Sequence, residues 1–202
     1  MHQASPEQYR KSVSAIVAAA ARLPKAMRGA DPKRFLRAYY ANVDAEDIAA
    51  RDPTELAAAA LSHLMFARQR RGRALVRVFN PTLRDYGYSS PHTVIEMVND
   101  DMPFLVDSIG LALTRRALTL HYLTHPVFAV RRDKAGVLRS VDERGAAAGK
   151  LHRLESFQRI EVDRIVDAAA LQSLCAEIER GMRDVRVACA DWDKMRGARR
   201  RT

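Results

Sequence analysis

The sequence predicts an α+β protein: a helical N-terminal segment followed by a mostly antiparallel sheet with helices on one face. Three observations carry this. Apolar residues in the first third recur at helical spacing, with Ser, Asp and Pro where helices would begin. After Gly72 the period changes, and short runs rich in Val, Ile, Phe and Tyr alternate with polar turns. Near the C-terminus Leu171, Leu174, Cys175, Ile178, Met182 and Val185 fall at i, i+3, i+4, i+7, i+11 and i+14, one stripe of an amphipathic helix.

In chain order, Pro6–Leu23 reads as the first helix, with Ser5 as N-cap and Pro6 at the first helical position. Pro24 and Gly29 make Leu23–Ala30 a connector. Asp31–Pro32 opens a second helix to about Val43, with Phe35, Leu36 and Tyr39 on its buried side. Asp44–Arg51 is a short helix. Asp52–Pro53 caps a longer one to about Gln69, in which Leu56, Ala60, Leu64 and Ala67 share a face. Ala74–Phe79 (ALVRVF) is a strand and Asn80–Pro91 a polar turn region. Thr93–Asn99 is apolar on nearly both faces, which predicts a central strand. Asp100 and Asp101 precede a helix with Pro103 in its first turn and Leu105, Ile109, Ala112 and Leu113 on its inner face; the two aspartates read as its caps. Leu118–Arg131 alternates as one long strand, with Pro126 marking an edge or a bulge. Lys134–Gly149 reads as a polar hairpin loop. Leu154–Arg164 is a further strand, with Ile160 and Val162 inward and Glu161 and Asp163 outward. The tail from Gly197 reads as loose. The order strand, strand, helix, strand, strand, helix is ferredoxin-like, with an extra leading strand and a missing final one. The resulting division is a helical segment over 1–72, an α+β domain over 73–190 and a polar basic tail over 191–202.

With 202 residues, 48% hydrophobic and 29% charged, the chain can bury a sizeable core. The net charge of +10 comes from 28 Arg and 6 Lys against 24 acids. Such a balance suits nucleic acid, an anionic membrane or acidic partners. The basic runs are Arg68–Arg73 (RQRRGR) and Arg199–Arg201. Aromatics make up only 6% and do not lie beside those runs, which weighs against nucleic acid. The first run reads as a solvated helix end, where cations suit the dipole. A basic stand-alone anion- or nucleic-acid-binding protein is the alternative reading. The apolar run Ala15–Ala21 falls far short of the ~20 residues a bilayer needs, so no membrane partner is expected. Cys175 and Cys189 make no disulfide framework, and Cys175 on its apolar stripe reads as a buried thiol in a reducing cytoplasm.

Motifs for chemistry are few. The nine glycines form neither G-x-G-x-x-G nor G-x-x-x-x-G-K-[ST], so no nucleotide cofactor is expected in this chain. His121 and His125, four residues apart on a strand, would stand about 13 Å apart, too far for one zinc ion. Neither Ser108 nor Cys175 sits in a nucleophile elbow. Acid–base chemistry would need a polar pocket gathering Asp100, Asp101 and Asp107.

One stretch is far more specific. Arg77–Arg132 contains VFNP at Val78–Pro81, a turn at Gly87–Tyr88, His92–Val94 with Glu96, NDDMPFLVDS at Asn99–Ser108 and HPVF at His125–Phe128, followed by paired basic residues. It resembles the N-terminal region of the large bacterial NAD-specific glutamate dehydrogenases, as do SFQRIEVDR at Ser156–Arg164 and the last helix; FLRAYY at Phe35–Tyr40 resembles it more weakly. The resemblance implies an ACT-like fold for the α+β part. It implies a non-catalytic regulatory or assembly module of an enzyme that deaminates L-glutamate oxidatively to 2-oxoglutarate. The catalytic and NAD sites of such enzymes lie much later in far longer chains. The implied partners are the remainder of the dehydrogenase or other copies of this chain, with an amino acid as effector. The ending DKMRGARRRT departs from the family pattern and reads as a truncation or a disrupted frame. In ACT-like domains the ligand loop joins the first strand to the first helix, here Asn99, Asp100, Asp101, Met102 and Phe104 around Pro103. Proline removes a donor and phenylalanine adds bulk where such loops often carry glycine, so a structural role is favoured over amino-acid binding.

Overall fold

The computed structural model describes residues 6–27, 31–143 and 152–199, without the side chains of Ala26, Glu143 and 190–199. Ser5, Gly29, residues 144–149 of the expected hairpin loop and the last two arginines of the C-terminal run lie outside the described residues.

Helices open where proline and aspartate direct them. Helix α1 (Pro6–Ala19) buries Val13, Ile16 and Val17. Asp31 accepts the Arg34 N–H at 3.1 Å and starts α2 (Pro32–Tyr39). After α3 (Ala45–Ala49), Asp52 accepts from the N–H groups of Thr54 and Glu55 at 2.7 and 3.0 Å and starts α4 (Pro53–Phe66). Ala57–Ala60 of α4 are all buried, because methyl side chains let neighbouring helices approach closely.

The rest is a six-stranded antiparallel sheet flanked by helices. In chain order come β1 (Leu75–Phe79), the single turn α5 (Leu83–Tyr86), β2 (Thr93–Asp100), α6 (Leu105–Arg115), β3 (Leu120–Thr124), β4 (Val127–Arg132), β5 (Leu138–Glu143), β6 (Arg153–Val162) and α7 (Ala168–Arg199). The spatial order is β1-β2-β6-β4-β5, and β3 pairs with β6 beyond β4. Strand β2, apolar on both faces, is interior as expected. It and β3/β4 flank β6, each antiparallel to it, which is the split βαβ arrangement.

Four local expectations fail for physical reasons. The long strand over 118–131 is two strands: proline cannot donate to a ladder, and the chain breaks at His125–Pro126, where the Pro126 carbonyl still accepts the Phe157 N–H at 2.9 Å. The expected loop from Lys134 contains β5, a polar edge strand entered by a tight turn in which the Asp133 carboxylate accepts the N–H groups of Ala135 and Val137, both at 2.9 Å. Asp100 and Asp101 do not cap α6. Asp100 ends β2, and the N-cap is Phe104 in the left-handed region (φ 66) with no side-chain bond. The segment from Gly197 to Arg199 is helical rather than loose.

Two cores result. On one face α6 and α7 pack Leu105, Ile109, Leu113, Leu174, Ile178 and Met182 onto Ile95, Met97, Ile160 and Val162. The N-terminal helices cover the other face, joined to it by an aromatic cluster in which Phe128 lies 5.3 Å from Phe35 and 5.0 Å from Phe157. The Cys175 thiol is free and only half-buried, at the margin of its stripe, not in the core. No helix among the described residues is long and apolar enough to cross a membrane.

His63, fully buried beside this cluster, gives the fold a pH response. Its Nε2 lies 3.1 Å from the Met97 carbonyl, which can only accept, so Nε2 carries the hydrogen and Nδ1 accepts from the Tyr39 hydroxyl at 2.8 Å. Burial, opposed by the Glu96 charge, lowers its pKa to about 4 from 6.5. The folded protein therefore holds His63 neutral while the unfolded chain protonates near 6.5. Stability is fully present above that pH and declines as pH falls through 6.5 towards 4, by about 3 kcal/mol in all. Urea midpoints from pH 7 to pH 4 should fall accordingly, and His63→Phe should remove most of this slope.

Gly136 provides a second check. Its φ is 81°, and a Cβ there would lie inside contact distance of the Arg70 carbonyl oxygen. Gly72, at φ 70°, has open space around it. Gly136→Ala should cost about 3 kcal/mol and Gly72→Ala about 1 kcal/mol, read as shifts in the urea midpoint.

Candidate functional site

The five loop residues do not converge on one cavity. Asn99 is buried under α7, donating weakly to the Met182 sulfur at 3.9 Å and accepting from Arg186 at 3.3 Å. Asp100 lies between Arg70 and Arg186, with Arg70 Nη1 donating to its Oδ1 at 2.7 Å. Burial pushes its carboxyl up, but the Arg70 hydrogen bond and charge, with Arg186 and Arg153, outweigh this and hold it below the ordinary value. The Asp101 N–H donates to the Leu154 carbonyl at 2.9 Å, and its charge partly offsets the burial that lowers the pKa of His125. Met102 packs at the edge of the α6/α7 core. Phe104 points outward, 67% exposed. Asp107 is exposed in the first turn of α6.

The sequence reading missed what holds Asp100. Arg70, from the run read as a solvated helix end, is buried: Gln69 bridges Val137, and the Arg70 N–H donates to the Gly136 carbonyl at 2.9 Å. Its guanidinium reaches Asp100 and Glu155, and Arg132 closes on Glu155 through two hydrogen bonds of 2.8 Å each. The pairing of Asp100 with Glu155 across β2 and β6 was the available signal, visible only once register is known.

A second charged system runs across the same face. Arg77, Glu96 and Arg159 stand directly opposite one another on β1, β2 and β6, and Glu161 and Arg51 extend the row. Glu161 was expected to point outward. It is buried instead, because Arg159 and Arg51 neutralise it, at 2.8 and 2.9 Å. Both carboxylates are held by arginines, which suits them to fixing register and not to moving protons. A cleft of about 290 Å³ between the start of α4 and residues 88–92 reaches down to Arg159 and Glu161. At its margin His92 stacks on His121, with ring centroids 4.2 Å apart.

His121 of β3 binds Asp163 at 2.7 Å and His125, at the strand break, binds Ser156 at 2.6 Å, so the two histidines serve different partners. Among the described residues no group of three or more His, Cys, Asp or Glu could hold a metal ion.

Comparison with known proteins places this geometry in context. Residues 35–178 match the family described as glutamate dehydrogenase, ACT1 domain. The chain is 38% identical over 177 residues to an NAD-specific glutamate dehydrogenase of Halomonas elongata, covering 86% of this chain and 11% of that protein. It is 32% identical over 167 residues to an NAD-specific glutamate dehydrogenase of Pseudomonas aeruginosa, covering 82% of this chain and 10% of that protein. The chain thus spans about a tenth of the length of the curated relatives it matches. No solved structure matches it.

Proposed function

Because the chain belongs to the glutamate dehydrogenase family and carries its ACT1 domain, we propose that it is a non-catalytic regulatory or assembly module of an NAD-dependent glutamate dehydrogenase, one that acts in the cytoplasm. The chemistry it would serve is oxidative deamination of L-glutamate to 2-oxoglutarate, with NAD bound elsewhere in the parent enzyme.

The observation that carries the assembly role is apolar surface beside the β2–α6 loop. Phe104 and Leu111 are 67% and 52% exposed and lie seven residues apart, on one side of α6. Large apolar side chains gathered at one place mark contact surfaces. The occupant is the remainder of the dehydrogenase or another copy of this chain.

Calorimetric titration with glutamate, aspartate and other amino acids, beside the mass of the chain in solution, tests this. A defined dimer that F104S/L111S converts to monomer, with no amino-acid heat, supports assembly. Saturable amino-acid binding lost in Asp101→Asn would replace assembly by effector sensing at the loop. A monomer that binds nothing, also when mixed with the remainder of a dehydrogenase, would sink both.

A further inference from the structure

A cavity of about 530 Å³ opens between the Arg70–Gly72 segment, the turn after β4 and the start of β6. That size is ordinary for a small-molecule site. Its floor is the buried pair of arginines on Glu155: Arg70 at 2.8 Å and Arg132 through both oxygens. One buried carboxylate thus meets two guanidinium groups there, with Asp100 beyond Arg70. The other acid of the wall, Asp133, is taken by Arg139 and by the N–H groups of Ala135 and Val137.

Three further cations line the cavity: Arg71, Lys134 and Arg153. Their side chains make no hydrogen bond or ion pair of their own with any described residue, though Arg153 contributes to the field at Asp100. The lining therefore carries five cations, Arg70, Arg71, Arg132, Lys134 and Arg153, against two carboxylates that are already satisfied. Left-handed glycines at 72 and 136 lie in this wall, so backbone approaches the space without side chains in the way. Among the described residues Val130 is its one apolar side chain, and no aromatic ring lines it. A nucleobase would find no aromatic platform among the described residues.

We propose that this cavity binds a small polyanion bearing two or more phosphate or carboxylate groups, held by Arg71, Lys134 and Arg153 above the Arg70–Glu155–Arg132 floor. A single monovalent anion would leave the rim charges uncompensated, and a second anionic group makes use of them. None of the β2–α6 loop residues lines this cavity, though Asp100 shares Arg70 with its floor, and the polyanion site does not depend on the loop taking an amino acid.

Titration calorimetry of the chain at fixed ionic strength, with inorganic pyrophosphate, orthophosphate and malonate as probes, tests it. Pyrophosphate should bind saturably at one site, at least fivefold tighter than orthophosphate, and its order relative to malonate tells a diphosphate from a dicarboxylate site. R71Q/K134Q/R153Q should raise the pyrophosphate Kd at least tenfold. R115Q/R180Q/R183Q, which removes equal charge from α6 and α7, should leave it within twofold. The three cavity side chains are exposed and make no ion pair with described residues, so the variant should keep the wild-type circular dichroism and melting temperature. Absence of saturable heat, or equal weakening in the two triple variants, would overturn the site in favour of diffuse surface charge. Tight binding of a single-stranded oligonucleotide, weakened equally by both variants, would overturn it in favour of nucleic acid.

Discussion

Glu96→Ala is expected to lower the stability of the chain by about 3–5 kcal/mol, the cost of leaving buried charge uncompensated. Glu96 has no solvent exposure and sits between Arg77 and Arg159 in direct cross-strand register. The row Arg77, Glu96, Arg159, Glu161, Arg51 alternates in sign, with three cations and two anions. Removing Glu96 leaves Arg77 with no carboxylate partner and Arg159 and Arg51 sharing Glu161. Arg159→Met, in contrast, fills much the same volume and leaves each carboxylate one arginine, so it should cost less, about 1–3 kcal/mol. Urea denaturation of the two variants separates charge from packing: a larger loss in Arg159→Met than in Glu96→Ala would show that volume and not charge governs the row. The pH dependence follows from Glu161. Burial raises its pKa, but Arg159 and Arg51 prevail and hold it below the ordinary 4.5. Its contribution is present above pH 4.5 and is lost as pH falls through that lowered value.

The same row shows where sequence reasoning stops. Periodicity located β1, β2, β6, α4, α6 and α7 within a few residues, because each carries a clear apolar face or stripe. Polarity misled it wherever burial is achieved by pairing. Glu161 reads as solvent-facing by alternation with Ile160 and Val162, yet both faces of β6 are covered. Strand β5 (LRSVDE) has too little apolar character to be told from a loop, and its existence depends on pairing with β4. Arg70 belongs to a basic run that looks solvated, and only the bridge between Gln69 and Val137 turns it inward. Asp100 and Asp101 carry the composition of helix caps, but the register of β2 with β6 consumes Asp100 before the helix starts. The candidate loop was therefore legible as a position and not as a geometry. Asn99 and Asp100 belong to β2 and only residues 101–104 join it to α6, while the partners of Asp100, Arg70, Glu155 and Arg186, come from parts of the chain that no local pattern links to it.

Phe157→Ala should destabilise the protein by about 3–5 kcal/mol, as for other fully buried aromatic side chains. Phe157 has no exposure, lies on the central strand β6 and meets Phe128 at 5.0 Å, His63 at 5.3 Å and Phe35 at 6.4 Å. Those four rings come from α2, α4, β4 and β6, so the cavity would open at the seam between the N-terminal helices and the sheet. Phe157→Leu keeps most of the apolar contact and should cost about 1–2 kcal/mol. The seam also decides how the chain unfolds. If residues up to 72 formed a separate folding unit, the alanine variant would lose helical signal first and the sheet later. Because one core draws on both parts, a single transition is expected, with far-ultraviolet and near-ultraviolet circular dichroism coinciding in the wild type and in the variant. Two resolved steps in the wild type would mean that the helical layer docks on an independently stable sheet, and the cost of Phe157→Ala would then fall mainly on docking.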